Sequence, residues 1–234
     1  MGRIDDAIRI LESTEDGTER ALQLAGLIST LFKIKGVVLV VTNQLAFDCY
    51  ANTVSENPEV KLAAFAGDLT PRTMLEIMRG QLQAQGSFYQ WIVAGIPVRF
   101  QNDTVIAHRE LCRDFMTDHG VVKLVPVEEI TADCILAAVY PGPDPEAQAR
   151  AHLLMVNGLT DAFQMDWAVL HSLCHRPDYR VGEELAQMRL AAKKEADLTG
   201  RVRDHVGDTS ALPKVAAPSS ESTPATAEAR DPMR

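Results

Sequence analysis

The segment Gly36-Val37-Val38-Leu39-Val40-Val41 constrains this chain more than any other, because it directly follows the pattern of a long amphipathic helix. From Gly17 to Lys35 apolar residues recur at Ala21, Leu22, Ala25, Ile28, Leu31 and Phe32, which share one face at the helical period. Gly36 supplies a helix stop. The β-branched run after it is the pattern of a strand covered on both faces, as in α/β sheets. A helix feeding such a strand predicts an α/β (α+β) protein with a small mixed sheet flanked by helices. The 234 residues are 46% apolar, enough to bury a continuous core.

Downstream, Thr42-Asn43-Gln44 closes the strand, Leu45 to Val54 reads as helix, and Ser55 to Pro58 breaks it. Val60 to Ala66 predicts a second strand ending at Gly67-Asp68. Thr70 offers an N-cap with Pro71 at the first helical position, leading into a helix that buries Leu75, Met78 and Leu82 and stops at Gly86. Phe88 to Phe100 contains Gly95 and Pro97, which predict an edge strand or a hairpin rather than a central strand. Asp103 is expected to cap a helix from Thr104 to about Asp118, with Gly120 at its end, and Val121 to Val127 is a strand candidate. Val127 to Tyr140 fits either helix or strand. Beyond Pro141, Pro143 and Pro145 a C-terminal helical subregion begins at about residue 146, with helices over Glu146 to Val156, Leu159 to His175 and Gly182 to about Asp197. From residue 199 to 234 the apolar pattern fails, and Ala, Pro, Ser, Thr and Glu come to dominate. The expectation is one globular domain over 1–198 and a disordered tail over 199–234.

The net charge of −9 and pI near 5.1 argue against general binding of double-stranded nucleic acid or of anionic membrane surfaces, both of which need clustered Lys and Arg. No apolar run reaches the roughly 18 residues of a spanning helix. Asp5 and Asp6 stand where a signal peptide would be basic and then apolar. Four cysteines, Cys49, Cys112, Cys134 and Cys174, lie far apart without a C-x-x-C pair, the pattern of free thiols in a reducing compartment. A soluble, cytoplasmic protein is expected.

Two pairs of side chains have spacings that can carry chemistry. His171 and His175, at i and i+4, can reach one metal ion from a single helical face, although Ser172 stands where a zinc protease would need its glutamate. The plainer reading is a helix end at which His175 and Arg176 complement the carbonyl dipole before Pro177. His108 and Cys112, also i and i+4 on the helix predicted after Asp103, can form a base and a nucleophile, or a core histidine beside an inert thiol. No P-loop, no G-x-G-x-x-G after a strand and no G-x-S-x-G elbow is present.

The order of segments adds to these motifs. A helix leads into the Gly36 to Val41 strand, a helix follows at Leu45, and a second strand ends at Ala66-Gly67-Asp68-Leu69-Thr70. Then come the Thr70 to Gln85 helix, the extended Gly95-Ile96-Pro97-Val98-Arg99-Phe100, and Val125-Pro126-Val127-Glu128-Glu129-Ile130 opening a helical region. This layout resembles that of minimal nucleotidyltransferase-fold proteins, including the abortive-infection toxin type, over roughly residues 16 to 190. In that family the second strand carries an Asp-x-Asp pair and a following strand a third carboxylate, which together hold divalent ions against a triphosphate. The resemblance implies that Asp68 is the catalytic and metal-binding carboxylate and that Thr42 and Asn43 contact a nucleotide, with Mg²⁺ as the cofactor. Thr70 stands in place of the second aspartate, the segment around Arg99 lacks the third carboxylate, and Val41-Thr42-Asn43 replaces the usual Gly-Gly or Gly-Ser. Two-metal phosphoryl transfer needs several carboxylates, so a degenerate member is implied, binding a nucleotide or a protein partner. The alternative is a non-enzymatic adaptor that docks a partner through Phe163, Met165, Trp167 and Leu170 on its C-terminal helices.

Overall fold

The computed structural model describes residues 2–101, 106–160 and 162–203. Helix α1 (Gly2–Ser13), for which the sequence raised no expectation, packs Ala7 and Leu11 into the core beside α2 (Gly17–Ile34). Asp16 caps α2 by accepting the Glu19 amide at 3.0 Å. The chain then forms β1 (Val38–Val41), α3 (Asn43–Ala51) and β2 (Val60–Ala66). Thr70 caps α4 (Pro71–Met74) through the Thr73 amide, and the helix continues in π-helical turns to Gln81. It stops short of Gly86, which lies instead in β3 (Gln85–Ser87). β4 (Gln90–Val93) and β5 (Ile96–Gln101) form the expected hairpin. β5 is nevertheless an interior strand, because it also pairs with β2, starting one residue after Pro97.

The helix expected over Thr104 to Asp118 is overturned. Asp103 lies outside the described residues. A single 3-10 turn at Arg109–Leu111 precedes β6 (Arg113–Thr117), which turns through Asp118 and His119 into β7 (Gly120–Leu124). Burial in β6 alternates with period two, and the pairing of Phe115 with Val122 and Thr117 with Gly120 takes the backbone hydrogen bonds a helix would have used. α5 (Val127–Val139) resolves the ambiguous apolar stretch as helix. α6 (Pro145–Leu159) is capped by Asp144, which accepts the amides of Glu146 and Ala147. The single helix expected from Leu159 to His175 is instead two helices. Phe163 and Met165 are buried between exposed neighbours in an extended connector, and Asp166 then caps α7 (Trp167–Cys174) at 3.0 Å and 3.1 Å. α8 (Gly182–Arg203) runs past the expected boundary at 198, and residues 204–234 of the expected tail lie outside the described residues.

The seven strands form one mixed sheet in the order β3-β4-β5-β2-β1-β7-β6. β1 is antiparallel to β2 and parallel to β7, while β2 and β5 are parallel. Leu39, Val41, Leu62, Val98, Phe100, Val122 and Leu124 share one buried face, on which Phe32 of α2 meets Phe100 with ring centroids 5.3 Å apart. The other face carries Val40, Ala63, Lys61, Arg99 and Lys123. The C-terminal helices pack against α3 and the sheet margin, where Arg150 lies over Phe47 (4.5 Å) and Arg113 over Tyr50 and Phe163 (5.6 Å each), while Arg189 over Trp167 (4.3 Å) joins α8 to α7. No helix among the described residues is long and apolar enough to cross a membrane.

Candidate functional site

The antiparallel pairing of β1 with β2 decides which residues can act together. Val41 pairs with Leu62 at one end and Val38 with Ala66 at the other. Thr42 and Asn43 therefore stand beside the start of β2, and Asp68 lies beyond its far end, about 20 Å away at ~3.3 Å per strand residue. The structure does not bring Asp68, an exposed residue, together with Thr42 and Asn43.

At the Thr42 end the polar groups engage one another. Thr42 is buried; its amide donates to the Lys61 carbonyl at 3.0 Å and its hydroxyl to Gln101 Oε1 at 2.8 Å. Asn43 is exposed and opens α3 with φ 59, a left-handed conformation that asparagine tolerates better than most residues. Glu59 and Lys61, two positions apart at the start of β2, project from one face, and Lys61 is the β2 neighbour of Arg99 on β5. Each oxygen of Glu59 holds one cation: Oε2 lies 3.2 Å from Lys61 Nζ and Oε1 lies 3.0 Å from Arg99 Nε. An open depression of about 370 Å³ adjoins this trio, lined by Gln85, Gln90, Trp91, Ile92 and Pro97 as well as Glu59 and Arg99. None of Glu59, Lys61 and Gln101 was singled out from the sequence. The i, i+2 spacing of Glu59 and Lys61 was visible, but its meaning depends on the parallel β2–β5 pairing that sets Arg99 beside Lys61.

The connectors leading into this end are held by buried carboxylates. Asp48 on α3 is buried and accepts from Gln44 Nε2 (2.7 Å), Thr53 Oγ1 (2.9 Å) and Ser55 Oγ (2.6 Å), fixing the segment that leads to Glu59. Glu128, in the first turn of α5, is 1% exposed; one oxygen accepts the Asp166 amide at 2.7 Å and the other has no hydrogen-bond partner. Burial pushes its carboxyl above the usual range, and the Asp166 amide only partly opposes this. Glu129 and Asp133 are likewise raised by burial, with Glu129 accepting the His108 amide at 2.9 Å and Asp133 the Tyr179 hydroxyl at 2.7 Å.

The other candidates take their plainer readings. Cys112 lies beyond the 3-10 turn rather than on a helix with His108, and burial pushes its thiol up to about 12, far from a thiolate nucleophile. His171 and His175 stack with centroids 4.0 Å apart, and Nδ1–H of His175 donates to the His171 carbonyl at 2.8 Å, which seats the ring on the helix end. Phe163, Met165 and Leu170 are buried and Trp167 is half-buried, so they pack inward instead of forming an exposed docking face. Among the described residues no group of three or more His, Cys, Asp or Glu side chains converges to hold a metal ion. One carboxylate engaged by two cations at the Thr42 end does not fit Mg²⁺, which is held through carboxylate and other oxygen ligands.

No protein-family model matches the sequence, and no curated protein does. Among solved structures the chain is similar to an antigenic nucleotidyltransferase-like protein from Paracoccidioides brasiliensis, with a TM-score of 0.45 and 12% identity over 76% of this chain and 94% of that one.

Proposed function

We propose that this chain is a nucleotidyltransferase-like protein without efficient catalysis, which binds the phosphate groups of a nucleotide at the Thr42 end of its sheet and needs no divalent ion to do so. The observation that supports this reading is the Glu59–Lys61–Arg99 trio. Two cations and one carboxylate stand on neighbouring strands beside Thr42, where metal-dependent phosphoryl transfer would call for converging carboxylates. Lys61 near the start of β2 and Arg99 within β5 set two cations side by side, which suits a phosphate directly.

Thermal unfolding in the presence of ATP or ADP tests the reading. A rise in Tm is expected with either nucleotide in EDTA, unchanged by Mg²⁺ or Mn²⁺, and reduced in Lys61→Ala and Arg99→Ala. No shift with any nucleotide, together with co-purification of a stoichiometric protein partner, would sink the proposal in favour of a protein-binding role. Release of pyrophosphate from a nucleoside triphosphate would overturn the absence of catalysis.

A further inference from the structure

The trio that supports nucleotide binding has a second property. Lys61 and Arg99 are adjacent across the β2–β5 pair, and both are already satisfied by the two oxygens of Glu59. Their side chains are 26% and 49% exposed, so solvent and solutes reach them. Two neighbouring cations repel unless an anion lies between them, and here the chain supplies that anion itself. The carboxylate engages the guanidinium through Nε at 3.0 Å and the ammonium at 3.2 Å, as a bound phosphate oxygen pair would. The adjoining depression extends from this pair along the exposed face of β3, β4 and β5. Gln85 and Gln90 offer amide groups there, and Ile92 and Pro97 offer apolar surface.

We infer that Glu59 is a built-in competitor for an anion site: its carboxylate occupies the position that a phosphate of the ligand takes between Lys61 and Arg99, and it must give way when the ligand binds. The inference rests on the nucleotide-binding reading and adds to it a device that sets affinity. The ligand class is a phosphate ester whose organic part lies in the depression over Ile92 and Pro97. Binding exchanges one ion-paired anion for another of higher charge, so affinity in the native protein is modest, falls with salt, and rises when the internal anion is removed.

The test measures binding of ADP, tripolyphosphate and adenosine in EDTA by isothermal titration calorimetry, comparing the native chain with Glu59→Gln, and with Glu76→Gln as the control. Glu76 is an exposed carboxylate paired with Lys35, so its removal reports any general effect of lowering the negative charge. Glu59→Gln is expected to bind ADP and tripolyphosphate about five- to tenfold more tightly, in line with removing one unit charge near a partly exposed site. Glu76→Gln should change neither. Adenosine should gain nothing from Glu59→Gln, which separates the phosphate contribution from that of the nucleoside. Binding of ADP that is unchanged or weakened in Glu59→Gln overturns the competitor role while leaving the nucleotide reading intact. Tighter binding in both glutamine variants reduces the effect to bulk charge and also overturns it. Absence of binding to every variant, with unliganded Tm values matching the native chain, removes the nucleotide reading and the inference with it.

Discussion

The two ends of the β1–β2 pair are built by different means. At the Thr42 end, side chains hold the structure: the Glu59 ion pairs, the Thr42–Gln101 bond and the triply bonded Asp48 lie on or lead into one small region. At the Asp68 end the backbone does the work. Gly67, with φ +83, lies so close to Gly36 that a Cβ would collide with the Gly36 carbonyl oxygen and sit 3.1 Å from Val37 Cα. The contrast teaches where chemistry can reside. A tight backbone turn needs glycine and leaves little room for a ligand, whereas a cluster of partly exposed, mutually paired charges can exchange partners.

The largest effect expected from breaking this comparison is at the backbone end. Gly67→Ala adds a methyl group into the Gly36 carbonyl at a left-handed φ, and should destabilise the protein by about 3 kcal/mol, read from the urea midpoint. A loss under about 1 kcal/mol would show that the two segments separate easily and that the end is not a rigid turn. Next is Asp48→Ala, which strips the shared acceptor from Gln44, Thr53 and Ser55 and should cost about 2 kcal/mol. Because those bonds fix the segment leading to Glu59, Asp48→Ala should also alter ADP affinity in the molecules that remain folded, and Gly67→Ala should not. Equal effects on affinity would erase the distinction between the ends.

How much of this was legible in the sequence follows from the range of each signal. The helix before Gly36, the first strand, the Thr70-Pro71 helix start and the hairpin around Gly95 are local patterns, and each appears close to where it was expected. The helix predicted after Asp103 failed because Val105, His108, Leu111 and Phe115 satisfy a helical period by coincidence, while the β6–β7 pairing depends on residues on both sides of the Asp118-His119 turn. The separation of Asp68 from Thr42 and Asn43 was not legible for a related reason. Asp68 and Thr42 each follow a strand, and only the antiparallel register, a tertiary fact, shows that consecutive strands joined by a helix put their last residues at opposite ends.

A smaller effect comes from Glu128. The folded protein holds this proton more tightly than the unfolded chain does, so its contribution to stability is complete below the ordinary carboxylate pKa of 4.5 and is lost as pH rises through the raised folded value. Glu129 and Asp133 act with the same sign. Glu128→Gln keeps an acceptor for the Asp166 amide while removing the charge. The fall in stability from pH 4.5 toward neutrality should be smaller than in the native chain, measured as the difference in urea midpoints across that range. Parallel pH profiles for the two proteins would show that Glu128 titrates as it does in the unfolded chain.

The smallest effect belongs to the residue that the family resemblance points to as catalytic. Asp68 is exposed and about 20 Å along β2 from Lys61, well beyond the Debye length of about 8 Å at physiological salt. Its charge is therefore screened from any ligand between Lys61 and Arg99. Asp68→Ala should change stability by less than about 0.5 kcal/mol and leave the nucleotide-induced rise in Tm where it was, with or without Mg²⁺. A shift that vanishes in this variant while persisting in Lys61→Ala would move the ligand to the Gly67 end. The backbone turn there, rather than the ion-paired part of β2 and β5, would then have to be the part of the sheet that opens to admit it.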